Sequence, residues 1–165
     1  MQKEFLGKTG NGMSVYVDME SSHASTHFDD TPGLMEIIKE IIPTLTPTED
    51  WVRTDVDTGR EIGLSDLVKT DAEDETLYAK RPHREQYARF VKNRKPVSTS
   101  FVTVDLRKES DGTYNLYTAF VGELTPSFPG GNYLPERSKE FWSNHALVWG
   151  RQEIIPGTET KECPW

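Results

Sequence analysis

The sequence predicts the α+β class: an antiparallel sheet with N-terminal and central helices packed on it. Three observations carry that expectation. Residues 98–108 (STSFVTVDLRK) alternate strictly between apolar and polar, and residues 113–122 (TYNLYTAFVG) return after Asp111-Gly112, a strong two-residue hairpin signal. Leu34, Ile37, Ile38 and Ile41 recur at i, i+3, i+4 and i+7, the spacing of one helical stripe. The helical patterns also stand apart from the hairpin-built sheet, which suggests α+β. At 165 residues, a single domain over 1–165 is expected, long enough to bury a core without staples.

Residues 13–19 (MSVYVDM) alternate with period two and read as a strand. The polar stretch that follows, SSHASTHFDDTPG, is rich in turn formers and reads as a loop. Asp30 or Thr31 before Pro32 gives a helix start, and the helix is expected to end at Pro43. Residues 51–57 alternate weakly and suggest a strand that turns at Thr58-Gly59; residues 60–76 are acidic and carry no clear period. In residues 80–95 (KRPHREQYARFVKNRK), Pro82 suits a first turn and Tyr87, Phe90 and Val91 share a helical face, so a central helix is expected there. In strand 98–108, Phe101, Thr103, Asp105 and Arg107 fall on one side and Val102, Val104 and Leu106 on the other. The segment TPSFPGGNYLP reads as an irregular loop, 136–144 as a short helix and 146–149 as a last strand, with a loosely held tail from about Gln152.

Composition narrows the class. Apolar residues make up 35% and charged residues 28%, the balance of a soluble globular chain, not a disordered one. Cys163 is the one cysteine, so no internal disulfide staples the fold. No apolar run reaches bilayer length and the first residues lack the apolar centre of a signal peptide, so a cytoplasmic location without membrane contact is expected. The net charge of −8 cuts against generic nucleic-acid binding, which favours a basic surface throughout.

Against that acidity stands one basic island. Residues 80–95 hold Lys80, Arg81, Arg84, Arg89, Lys92, Arg94 and Lys95 against Glu85; seven against one is a net +6, which leaves −14 on the rest. Such an island suits a partner with localised negative charge, phosphate above all. A solvated basic face is the other reading. His23 and His27 lie four apart in the loop before the first helix, and imidazoles trade protons most readily near neutral pH. Their spacing also suits zinc on a helix, but the glutamate of HExxH is missing and no second cysteine is present. His145 follows Phe141-Trp142 and reads as a packed core histidine. Asp55-Val56-Asp57-Thr58-Gly59 departs from the calcium-loop spacing. No GxSxG, P-loop or GxGxxG is present, so no cofactor is expected.

Taken in order, a histidine-bearing loop, an Arg/Lys cluster and a hairpin reading VTVDLRKESDGTYNLYTAF resemble the small RNase toxins of the barnase–EndoU–colicin–RelE superfamily, including the bacterial toxin tips of contact-dependent inhibition systems. The likeness is firm over about residues 98–122, loose over 20–95 and absent from Gly130 onward. It implies metal-independent cleavage of RNA, tRNA among the candidates, by attack of the 2′-hydroxyl to give a 2′,3′-cyclic phosphate. It implies His23 and His27 in the proton roles, Arg81 or Arg84 as the phosphate clamp and Thr118 as a phosphate hydrogen-bond donor. Lys80, His83, Arg89, Ser98 and Ser100 would complete the substrate contacts, and an immunity or antitoxin protein would be a partner. Two departures weigh against it: the chain is acidic where such toxins are commonly basic, and Phe120 stands where a tyrosine is frequent. A non-catalytic acidic binding module, immunity-like or an inactive nuclease relative, is the competing reading.

Overall fold

The computed structural model describes residues 3–18, 33–130, 132 and 134–165. In chain order its elements are β1 (Lys3–Lys8), β2 (Ser14–Asp18), α1 (Leu34–Ile41) with a 3-10 turn behind it (Ile42–Thr44), β3 (Trp51–Asp57), β4 (Gly63–Ser65), β5 (Leu67–Lys69), β6 (Thr76–Lys80), β7 (Tyr87–Val91), β8 (Val97–Thr99), β9 (Phe101–Lys108), β10 (Tyr114–Val121), α2 (Glu136–Asn144) and β11 (His145–Val148). The class is α+β and mostly sheet. Contacts divide the chain into two compact units, Met1–Gly63 with Ser98–Leu124 and Leu64–Val97 with Thr125–Trp165. Among the described residues, no helix is long and apolar enough to cross a membrane.

The first unit is built on a five-stranded sheet in the order β1-β2-β10-β9-β3. Its centre is the predicted hairpin, with Val102, Val104 and Leu106 at most 1% exposed on the core face. The turn differs from the two-residue expectation. Glu109 N donates to Thr113 O and Gly112 N to Glu109 O, so the loop spans three residues. Gly112, at φ 86°, takes the left-handed position that such a loop reserves for glycine. The sheet is mixed, not purely antiparallel, because β10 pairs with β2 in parallel. Leu34, Ile37, Ile38 and Ile41 of α1 are all buried against this core, each burial being worth about 1.5–3 kcal/mol over exposure. The helix starts after Gly33, which has no capping side chain; the Asp30 or Thr31 start expected from the sequence lies outside the described residues.

The second unit carries a four-stranded sheet in the order β5-β11-β7-β6. Here the expected central helix is corrected: residues 87–91 are strand β7, paired antiparallel with β6 and parallel with β11. The reason is burial on both faces. Ala88 and Phe90 face a core with Leu77, Ala79, Phe128 and Trp142, while Val91 joins Val68, Ala146 and Val148. Such a central strand reads as a near-continuous apolar run, and Phe90-Val91 beside Tyr87 mimics helical spacing. Helix α2 supplies Trp142, whose ring stacks on Phe128 at 3.8 Å and whose indole N–H donates to Pro126 O. The segment from Gln152, expected to be loosely held, runs beside β6: Thr160 exchanges backbone hydrogen bonds with Tyr78, Ile155 N donates to Lys80 O, and the Trp165 ring meets Tyr78 edge-on.

Candidate functional site

Strands β6 and β7 are joined by the turn Arg81-Pro82-His83-Arg84, closed by Arg84 N donating to Arg81 O at 3.2 Å. Proline second and a left-handed residue third is the pattern of a type II turn, where glycine is favoured third. Histidine stands there instead, His83 at φ 62°, the one non-glycine positive φ among the described residues. Such a residue is strained by about 1–2 kcal/mol relative to ordinary backbone, and strain of this kind gathers at functional sites.

The turn concentrates cations. His83 and Arg84 are exposed. Arg81 is half-buried; its guanidinium donates to Gln152 Oε1 at 2.9 Å and lies 5.4 Å from the centre of the Phe128 ring. Its Nε is buried with no hydrogen-bond partner. Burial, and then the neighbouring Arg84 charge, lower the Arg81 pKa. Lys80 lies over the Tyr87 ring at 5.4 Å. Among the described residues, no carboxylate forms an ion pair with Lys80, Arg81, His83 or Arg84, whereas Arg53, Arg60, Arg94, Arg107 and Arg151 each have one. An anion seated at the turn would relieve the Arg81–Arg84 repulsion.

Arg89 and Arg94 of the basic island serve structure. The Arg89 guanidinium points into its unit, donating through one nitrogen to Thr70 Oγ1 (2.8 Å), His145 O (3.1 Å) and Trp142 O (3.2 Å). It thereby holds carbonyls at the C-terminal end of α2, where a cation complements the helix dipole. Arg94 grips Asp74 through two nitrogens at 2.7 and 2.9 Å, and its hydrogen bond pulls the Asp74 carboxyl below its ordinary value. His145 is a packed histidine, its ring stacked on Phe141 at 4.0 Å with Nδ1 3.0 Å from Phe141 O.

The remaining sequence candidates fall in the first unit or outside the description. Thr118 is half-buried on β10, opposite Asp105 and beside a register shift after Leu116. Ser98 is exposed on β8. Ser100 hydrogen-bonds the Asp57 carboxylate, the largest reason that this carboxyl titrates below its ordinary value. His23 and His27 lie outside the described residues. Lys80, Arg81, His83 and Arg84 thus share one turn of the second unit, while Thr118, Ser98 and Ser100 belong to the first.

Sequence reasoning missed a charged cluster on the outer face of the first unit's sheet. Asp105 is 1% exposed yet accepts from Trp51 Nε1 at 2.9 Å and Arg107 Nε at 3.3 Å, with Arg53 4.0 Å away. The Arg107 guanidinium lies 3.6 Å from the Tyr117 ring centre and 4.8 Å from that of Trp51. The signal was present in part: alternation alone puts Asp105 and Arg107 on one face, but cross-strand register was needed to bring Trp51 opposite Arg107. No family model, curated protein or solved structure matches the chain.

Proposed function

We propose that the protein acts on RNA as a metal-independent endoribonuclease of toxin type, gripping substrate phosphate with the turn Arg81-Pro82-His83-Arg84. The observation that carries this reading is the cationic turn without a carboxylate partner among the described residues, held by a histidine in a left-handed conformation, in a chain of net charge −8. With 27 acidic residues available, cations left unpaired together favour an external anion. Guanidinium groups at Arg81 and Arg84 offer paired donors to a phosphodiester and to the extra charge that forms on phosphorus. His83 sits between them in sequence and adds an imidazole within the turn, a proton-transfer candidate that joins His23 and His27. The 2′-hydroxyl is the nucleophile, so RNA and not DNA is the substrate, and kinship with the barnase–EndoU–colicin–RelE superfamily is part of the same proposal. Cytoplasmic action and an immunity partner follow from that kinship.

The competing reading, a non-catalytic acidic binding module, draws on the −14 carried outside residues 80–95. One experiment separates the two. The protein is incubated with RNA, tRNA included, in EDTA, and the product ends are analysed. Cleavage to 2′,3′-cyclic phosphate ends is expected, falling about 10²-fold in Arg84→Ala with an unchanged melting midpoint. Cleavage as fast in Arg84→Ala as in the unaltered protein would remove the site; RNA bound but never cut would favour the binding module.

A further inference from the structure

We infer that the outer face of the five-stranded sheet is a platform for a nucleotide of single-stranded RNA, with the base stacked on Trp51 and its phosphate met by Arg53. This rests on the RNA reading and deepens it, because it names an RNA contact that lies wholly within the first unit. Trp51 is 60% exposed, the most exposed of the large apolar side chains among the described residues. Its ring is nevertheless fixed, since the indole N–H is tied to the buried Asp105 carboxylate at 2.9 Å. A pre-positioned ring loses little freedom when a ligand stacks on it. Arg107 is sandwiched beside it, 4.8 Å from the Trp51 ring and 3.6 Å from the Tyr117 ring. Held between the two rings, the guanidinium braces the indole in place by cation–π contact.

Charge selects the occupant. Arg53 and Arg107 both converge on Asp105, and their side chains remain 48% and 43% exposed. Asp105 is shared between them, so the exposed edges of both guanidinium groups remain open to an anion at the rim of the cluster. Asp55, next on the same face of β3, accepts from Leu124 N at 2.9 Å and forms no ion pair with Arg53. A neutral sugar would use the ring and not the charge; an acidic peptide would use the charge and not the ring. A nucleotide uses both.

The test measures binding of a short single-stranded RNA by fluorescence anisotropy at two salt concentrations. Trp51→Ala is expected to weaken binding about tenfold or more with the salt dependence unchanged, while Trp51→Phe, which keeps a ring, retains most of the affinity. Arg53→Ala is expected to flatten the salt dependence by about one phosphate contact. In the unaltered protein, bound RNA is expected to shield an exposed indole from acrylamide, a readout that needs no variant. Full affinity in Trp51→Ala together with loss in Arg84→Ala would overturn the platform and leave the RNA reading standing. Failure of the unaltered protein to bind any RNA would overturn both, and absence of shielding would overturn the platform alone.

Discussion

The two units handle arginine in opposite ways. On the outer sheet face of the first, Arg53 and Arg107 close around Asp105, and the carboxylate is buried to 1% exposure. At the β6–β7 turn of the second, Arg81 and Arg84 have no carboxylate partner among the described residues, and burial, then the neighbouring Arg84 charge, lower the Arg81 pKa. A buried carboxylate is tolerated only when donors surround it, so the first arrangement is structural at its centre and offers only its rim. The second has no compensating carboxylate among the described residues, and an uncompensated cluster gains most from an external anion. Stability and binding should therefore separate cleanly between the two places.

The largest expected effect breaks the first arrangement. Asp105→Asn removes the charge that Arg107, Arg53 and the Trp51 N–H share. Urea unfolding is expected to show a loss of about 2 kcal/mol. Arg84→Ala, by contrast, is expected to stay within about 0.5 kcal/mol of the unaltered protein, as exposed substitutions do. Equal losses would erase the contrast between compensated and uncompensated cations.

A smaller effect of opposite sign sharpens the second arrangement. His83→Gly relieves a left-handed φ and is expected to raise stability by about 1 kcal/mol while lowering RNA cleavage. A variant that is both more stable and as active would show that the histidine has no role in the turn's chemistry.

The smallest effect concerns pH. The Asp74 carboxyl is held below its ordinary value of 3.8, chiefly by its hydrogen bond to Arg94. Its folded value lies beneath its unfolded one, so its contribution is fully present above pH 3.8. It fades as the pH falls through the lower folded value, because the unfolded chain takes up the proton first. Acid titration of the melting midpoint is expected to fall less steeply below that pH in Arg94→Ala; identical slopes would mean that the pair does not couple to folding.

The hairpin and α1 were legible because local pattern and final burial agree. Val102, Val104 and Leu106 alternate in the sequence and share the core face, and the four apolar positions of α1 are all buried. Strand β7 was misread because Phe90 and Val91 are buried on opposite faces, which hides the period of two. Strands β1, β4, β5 and β6 were not anticipated, two of them only three residues long and too short to show a period. For the candidate site, the cationic island was plain in the chain, but which arginines remain available was not. Arg89 and Arg94 look like Arg81 and Arg84 in the sequence, and only their partners, two helix-end carbonyls and Asp74, set them apart. The Asp105 cluster was half visible, since its aromatic member Trp51 comes from a strand 54 residues away in the chain.

The sequence alone determined the α+β class, the hairpin, the first helix and the presence of a basic island in an acidic chain, because each follows from spacing within a few residues. Tertiary structure decided that the island is a turn followed by a strand and not a helix, which of its guanidinium groups face inward, and that a buried carboxylate organises the outer sheet face of the first unit. Those outcomes depend on strand partners remote in sequence, and the free energy of burying or pairing a side chain is fixed only when the partner arrives.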